Sequence, residues 1–191
     1  MNIDYIRKSN TNKIGKEILY YKEITSTHTY AKDNVDNIND GTVILADMQT
    51  AGKGTKGRKW YTGSELNIAM TIVLKPNCEI EKIKHLTVDV AKIIKKSIKE
   101  LYDYNLEIKE PNDLMLNGKK ISGILTESNT LGSKLNYIIL SVGFNVNENE
   151  FNEDTKDIAT SLKREYKKDF SREEIISKII EALDNYYTFS I

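Results

Sequence analysis

Cysteine is nearly absent: Cys78 stands alone in 191 residues, which excludes an internal disulfide and leads us to expect a reducing, cytoplasmic setting. The two histidines, His28 and His85, have no acidic cluster at metal-ligand spacing, so no metalloenzyme constellation is legible. No apolar run approaches the roughly 18 residues of a membrane span. The polar start Met1-Asn-Ile-Asp4 lacks a secretory apolar region. Charge of one sign is lacking too. Lysine plus arginine and aspartate plus glutamate number 28 each, which argues against a general nucleic-acid binder. The length suits one domain with a sizeable core.

Against this neutral background one stretch is locally basic. Gln49-Thr-Ala-Gly-Lys-Gly-Thr-Lys-Gly-Arg-Lys-Trp60 intersperses glycines with Lys53, Lys56, Arg58 and Lys59 and contains no acidic residue. Glycines let consecutive backbone N–H groups converge on an anion, and Arg58 can grip two of its oxygens at once. A basic surface turn would read the same way.

Hydrophobic patterning places strands at Leu19–Ile24, Thr42–Asp47, Asn67–Leu74, Asn105–Lys109 and Asn136–Phe144. Helices are expected behind an N-cap at Ser26 or Thr27, over Glu81–Leu101 with His85 on it, and behind Ser171, where Glu174 would complete a capping box. Asn117-Gly118 marks a hairpin. The expected fold is α+β, a mixed, largely antiparallel sheet with helices packed on one side. Residues 1–13 read as an arm or linker remnant and 14–191 as one domain.

Four further stretches can carry chemistry. Lys109-Glu-Pro-Asn-Asp113 presents Asn112 and Asp113 at a strand end. The amide there can donate and accept, and the carboxylate can orient an amine, a hydroxyl or a hydrated Mg²⁺; the same residues make an ordinary turn. Lys120, close to Gly123, can project across the sheet to a bound anion. Asn145 can reach a phosphate or adenine group, or simply close its strand. Ser26-Thr27-His28 can turn hydroxyls toward a polar ligand atom, or merely cap a helix.

Taken in order, Ser26-Thr-His28, Gln49 to Trp60, Lys109 to Asp113 with Gly118-Lys-Lys-Ile-Ser-Gly-Ile-Leu-Thr-Glu127, Gly143-Phe-Asn-Val-Asn147 and Ala159-Thr-Ser-Leu162 resemble the biotin protein ligases, from about Ile14 to Tyr187. That family typically shows G-R-G-R-x-G-R-x-W and K-W-P-N-D followed by N-G-K-K-x-x-G-I-L. The resemblance implies a class II synthetase-like catalytic domain. It would activate biotin with ATP to biotinyl-5′-AMP and pyrophosphate, then pass biotin to one lysine of a biotin carboxyl carrier protein. No protein nucleophile is required, because the biotin carboxylate is already ionised at pH 7; positioning and charge neutralisation suffice. By position, the resemblance assigns Ser26, Thr27, His28, Gln49, Gly52, Lys53, Gly54, Thr55 and Gly123 to biotin. It assigns Arg58, Trp60, Asn112, Asp113 and Asn145 to ATP, and Lys120 to both, with Lys120 and Arg58 catalytic. Mg²⁺ would be held mainly through ATP, with Asp113 within its reach.

The departures from the family pattern are specific. Thr55 replaces a second loop arginine, His28 an asparagine, Glu110 a tryptophan and Ser141 a glycine. Thr55 implies a looser hold on the adenylate unless Lys56 compensates. Glu110 adds negative charge near an anionic substrate unless it points outward. The residues before Ile14 are too few for the winged-helix domain of some relatives, so DNA binding is not expected, and the C-terminal SH3-like barrel of many relatives is expected to be absent from this chain. Relatives include monomers and homodimers. Three other readings stay open: a lipoate or octanoate ligase or transferase of the same superfold, a degenerate module that binds biotin without turnover, and a nucleic-acid binder using Lys53 to Trp60 as a basic patch with a stacking aromatic.

Overall fold

The computed structural model describes residues 1–190. Strand β1 (Ile18–Ile24) runs parallel to β2 (Val43–Gln49), and β2 pairs antiparallel with β3 (Ile68–Leu74). Strands β4 (Glu107–Lys109), β5 (Asp113–Leu116), β6 (Lys119–Leu131) and β7 (Lys134–Phe144) follow, all antiparallel to their neighbours. They form one open seven-stranded sheet in the order β1-β2-β3-β7-β6-β5-β4. The mixed, largely antiparallel α+β fold is as expected. Asn117 and Gly118 turn β5 into β6 with φ of 51° and 76°, the positive pair for which this dipeptide is suited.

Helices α3 (Leu86–Tyr102) and α5 (Arg172–Ser190) cover one face of the sheet. Ile94 and Ile98 of α3 and Ile176 and Ile180 of α5 join Ile68, Met70 and Ile72 of β3 in the main core. Each such side chain withdrawn from water stabilises the fold by about 1.5–3 kcal/mol. Helix α2 (Thr27–Asp33) is the exception to one-sided packing. Its Ala31 lies with Ile44, Val73 and Ile139 in a second cluster on the opposite face. Strand β3 is thus buried along its whole length, which explains its unbroken apolar run.

Three local expectations change. Helix α3 begins at Leu86 rather than Glu81, because Ile80–Ile83 winds as a separate 3-10 turn and exposed His85 is only the N-cap. Ser171 does cap α5, accepting from the Glu174 N–H at 3.2 Å, but the Glu174 carboxylate accepts from the Tyr102 hydroxyl instead of closing a capping box. The segment 1–13 is packed rather than free. It contains helix α1 (Ile3–Ile6) with Ile6 fully buried, and Asp184 of α5 accepts from the N–H groups of Asn12, Lys13 and Ile14 at 2.6, 2.8 and 2.8 Å.

Candidate active site

Cross-strand register aligns small residues across the face that carries α2. Ala46, Ala69, Gly143 and Gly123 are successive partners, and Asp113 ends the row. Partners share a face, so this row is a shallow trough. Thr27 and His28 of α2, Gln49 at the end of β2, and Ser141 wall one end of a partly open hollow, about 420 Å³ with its open mouth included. A wider cavity of about 1230 Å³ adjoins it, and both are lined by Gly54, Thr55, Trp60 and Lys120. The wider one carries Arg58, Lys59, Lys109 and Lys120 against Asp113 and Asp157. That cationic excess favours an anion.

The basic loop folds back on itself as a small hairpin, with bridges Gln49 to Thr62 and Lys53 to Lys59. Its glycines serve close backbone crossing more than an array of free N–H groups. The Gly54 N–H donates to the Arg58 carbonyl at 2.8 Å and the Trp60 N–H to that of Gly52 at 3.0 Å. A Cβ on Gly52 would collide with the Trp60 carbonyl oxygen. Lys56 takes φ of 55° and Gly57 of 74° at the tip. Arg58 is exposed, its Nη2 donating to Thr55 Oγ1 at 2.7 Å.

This hairpin seats Trp60 over the trough. A Cβ on Gly143 would lie 2.5 Å from the indole Nε1, and one on Gly123 3.1 Å from Cζ3. The indole Nε1 is buried and has no hydrogen-bond partner among the described residues. Lys120 Nζ sits 5.5 Å from the Trp60 ring centroid and 2.6 Å from Asp113 Oδ1. A lysine standing between the two cavities can meet charge developing on either side.

The remaining predicted residues divide. Lys53, Asn112 and Gly123 join the smaller cavity, while Asn145 lines the wider one and also ties β7 to the chain ahead of helix α4 (Leu162–Tyr166), its Nδ2 donating to the Thr160 carbonyl at 3.0 Å. Asn112 Nδ2 donates to the Ile124 carbonyl at 3.2 Å. Ser26 and Gly52 line neither cavity. Ser26 Oγ caps α2, accepting from the Thr29 N–H at 3.3 Å. Glu110 is exposed and lines neither, so its charge does point outward.

Thr71, Glu127 and Gly143 join the site although the sequence assigns them no role there, Glu127 and Gly143 standing only within longer motifs. Thr71 is fully buried, and its hydroxyl lies between those of Thr27 and Ser141, at 2.9 and 2.7 Å. The available signal was a lone polar residue inside the apolar run of β3. Glu127 Oε1 faces His28 Nε2 at 3.2 Å, and its other oxygen accepts from Lys32 Nζ at 2.7 Å. Burial lowers the His28 pKa from its ordinary value against the pull of Glu127, with Lys32 and Lys53 adding to the lowering.

Fold and site together define an α+β domain with a small polar hollow beside a wider cationic one. Residues 20–145 match the Biotin/lipoate A/B protein ligase family, and the chain belongs to that family. It is 33% identical to the bifunctional ligase/repressor BirA of Bacillus subtilis over 93% of this chain and 55% of that protein. It is 28% identical to the biotin–protein ligase of Homo sapiens over 96% of this chain and 27% of that protein. The chain thus spans about half the length of the bacterial relative. Among solved structures it is similar to the biotin protein ligase from Aquifex aeolicus in complex with biotin and ATP. The TM-score is 0.74 at 29% identity, covering 92% of this chain and 73% of that one.

Proposed function

We propose that this chain is an ATP-dependent biotin–protein ligase that forms biotinyl-5′-AMP and pyrophosphate and then transfers biotin to a lysine of a biotin carboxyl carrier protein. The observation that carries this reading is the junction at Lys120 of a small polar cavity and a wide cationic one. In the first, Thr27, Gln49 and Ser141 offer donors and acceptors suited to a cyclic urea. A lipoyl or octanoyl tail has no polar head to pair with them, and unpaired buried polar groups select strongly against such ligands. This favours biotin over lipoate. In the second, Arg58, Asp113 and Asn145 would serve the nucleotide, joined by Asn112 from the smaller cavity, with Trp60 between the two. Lys120 would draw the biotin carboxylate and the α-phosphate together and offset their repulsion. Lys53, Gly54 and Thr55 would wrap the adenylate, and Gly123 would leave room for it. Ser26 and Gly52 would act through the backbone they set.

Among the described residues no three His, Cys, Asp or Glu side chains converge on a metal position. Mg²⁺ would arrive on the ATP phosphates, with Asp113 a carboxylate available in the wider cavity. No described helix is long and apolar enough to cross a membrane. The activity is one of the cytoplasm, where ATP and carrier domains meet, and a homodimer is compatible with it.

ATP-dependent pyrophosphate release tests the reading. Release should be stimulated by biotin, not by lipoate or octanoate, and lost in Lys120→Ala. Stimulation by lipoate would move the chain to another branch of its family; biotin binding without release would make it a binding module.

A further inference from the structure

Lys120 faces the trough only because strand β6 is irregular beside it. Register along β5 pairs Leu114 with Ser122 and Met115 with Lys120, so Ile121 is an extra residue, a bulge. Ile121 and Ser122 are both fully buried, while Lys120 and Met115 line the wider cavity. Without the extra residue, strand alternation would turn Lys120 toward the helices. A bulge interrupts the ladder that would otherwise fix it. Strand β7 gives no support there, because its pairing with β6 ends at Ser122 and Phe144.

That edge is taken by the Ala159-Thr-Ser-Leu162 stretch, to which the sequence assigns no role. The Lys120 N–H donates to the Ile158 carbonyl at 2.8 Å and the Thr160 N–H to the Lys120 carbonyl at 2.9 Å, a parallel bridge centred on Ala159. The Thr160 carbonyl accepts from Asn145 Nδ2 at 3.0 Å. The Thr160 hydroxyl donates to Glu165 Oε1, and Glu165 Oε2 accepts from Asn117 Nδ2 at 2.6 Å. Fully buried Thr160 thus has every polar group engaged. Glu165, on α4, grips both the turn before Lys120 and the strap beside it. Burial pushes the Glu165 carboxyl up, but the hydrogens from Thr160 and Asn117, with the charges of Lys119 and Arg164, outweigh it and hold the pKa below its ordinary value. The brace is therefore ionised at neutral pH, and a charged acceptor makes the stronger hydrogen bond.

We infer that Thr160 and Glu165 are positioning residues for the adenylation step: they pin the bulged register of β6 and so hold the Lys120 side chain on the cavity face. The inference rests on the reading above, in which Lys120 draws the biotin carboxylate and the α-phosphate together. Neither Thr160 nor Glu165 lines either cavity, so they act through the main chain of Lys120 and not on a ligand. Loosening them lets Lys120 leave its place. A displacement of about 1 Å can cost about 10²-fold in rate. Binding of biotin and ATP, made largely by other residues, is left standing.

Biotin-dependent pyrophosphate release, resolved into kcat and KM, tests this in a cycle with Lys120→Ala. Thr160→Val keeps the main-chain bonds and removes the hydroxyl. It should lower kcat about tenfold and leave KM for biotin and for ATP within about twofold. Glu165→Ala, at a half-buried position on a short helix, should do the same with an unaltered circular dichroism spectrum. Thr160→Ser keeps the hydroxyl, and Glu165→Gln keeps an oxygen for it, so both should recover most of the loss. In the Lys120→Ala background, Thr160→Val should lower the residual rate no further. Full kcat in both Thr160→Val and Glu165→Ala, a change in KM alone, or an equal loss with and without Lys120 overturns the inference while the ligase reading stands. Lys120→Ala with undiminished release, or no release with biotin, removes both.

Discussion

The Trp60 indole lies where a side chain on Gly143 would have to be, and its Nε1 is buried there without a partner among the described residues. Gly143 and Gly123 are cross-strand neighbours, so the sheet offers a bare patch as wide as the ring. Gly143→Ala should lift the indole off the trough while leaving the strand paired. Trp60 is the only tryptophan, so its fluorescence reports the change directly. Red-shifted emission and weaker biotin binding with an unaltered circular dichroism spectrum are expected; unchanged emission would contradict the seat.

Lys120 pairs with Asp113 at 2.6 Å beside that ring, and a bound phosphate would compete for the same charge. Lys120→Ala should lower the adenylation rate by about 10²–10³-fold, with little change in melting temperature. Pyrophosphate release under saturating biotin and ATP measures it. A loss below about threefold would place the lysine outside the chemistry.

Arg58 is held by Thr55 on an exposed hairpin, so neither residue supports the core. Arg58→Ala should raise the KM for ATP about tenfold, as one charged contact is removed, and leave biotin affinity unchanged. Thr55→Arg, restoring the charge the family usually carries, should slow escape of the adenylate. Biotinylation of bystander lysines by the unmodified chain, compared with the variant, reports that escape. Equal, clean labelling of the carrier alone by both would refute it.

Asp184 anchors the N-terminal segment through three backbone N–H bonds. Burial pushes its pKa up, but these bonds outweigh it and hold the carboxylate below its ordinary value. A depressed folded pKa stabilises above the unfolded value, near 4, and that contribution fades as pH falls through the folded one. Asp184→Asn should therefore cost about 2 kcal/mol at pH 7, or about 6 °C in Tm. The gap from the parent should narrow toward pH 3. Thermal melts across that range check the sign, and a gap that widens in acid would be inconsistent with it.

Much of this was legible in the sequence because the signals are local. Apolar periodicity set α3 and α5, Asn117-Gly118 set a hairpin, and an unbroken apolar run set β3. The glycine-rich loop and the Pro111-Asn-Asp113 stretch marked the site through the chemistry of their own residues. Less legible was the start of α3, where apolar spacing continues through a 3-10 turn that periodicity cannot distinguish. Segment 1–13 looked like an arm because its anchor, Asp184, is far away in the chain.

The sequence alone determined the fold class, the basic loop and the family pattern, since each depends on residues near one another in the chain. Tertiary structure alone decided that Ala46, Ala69, Gly143 and Gly123 form one trough and that Thr71 and Ser141 stand side by side. Those neighbours follow from strand register, which a shift of one residue would turn to the other face of the sheet. The same register, with α2 laid across it, brings His28 to Ser141 and Glu127. Two substitutions that look independent in the chain become one hydrogen-bonded pair in space.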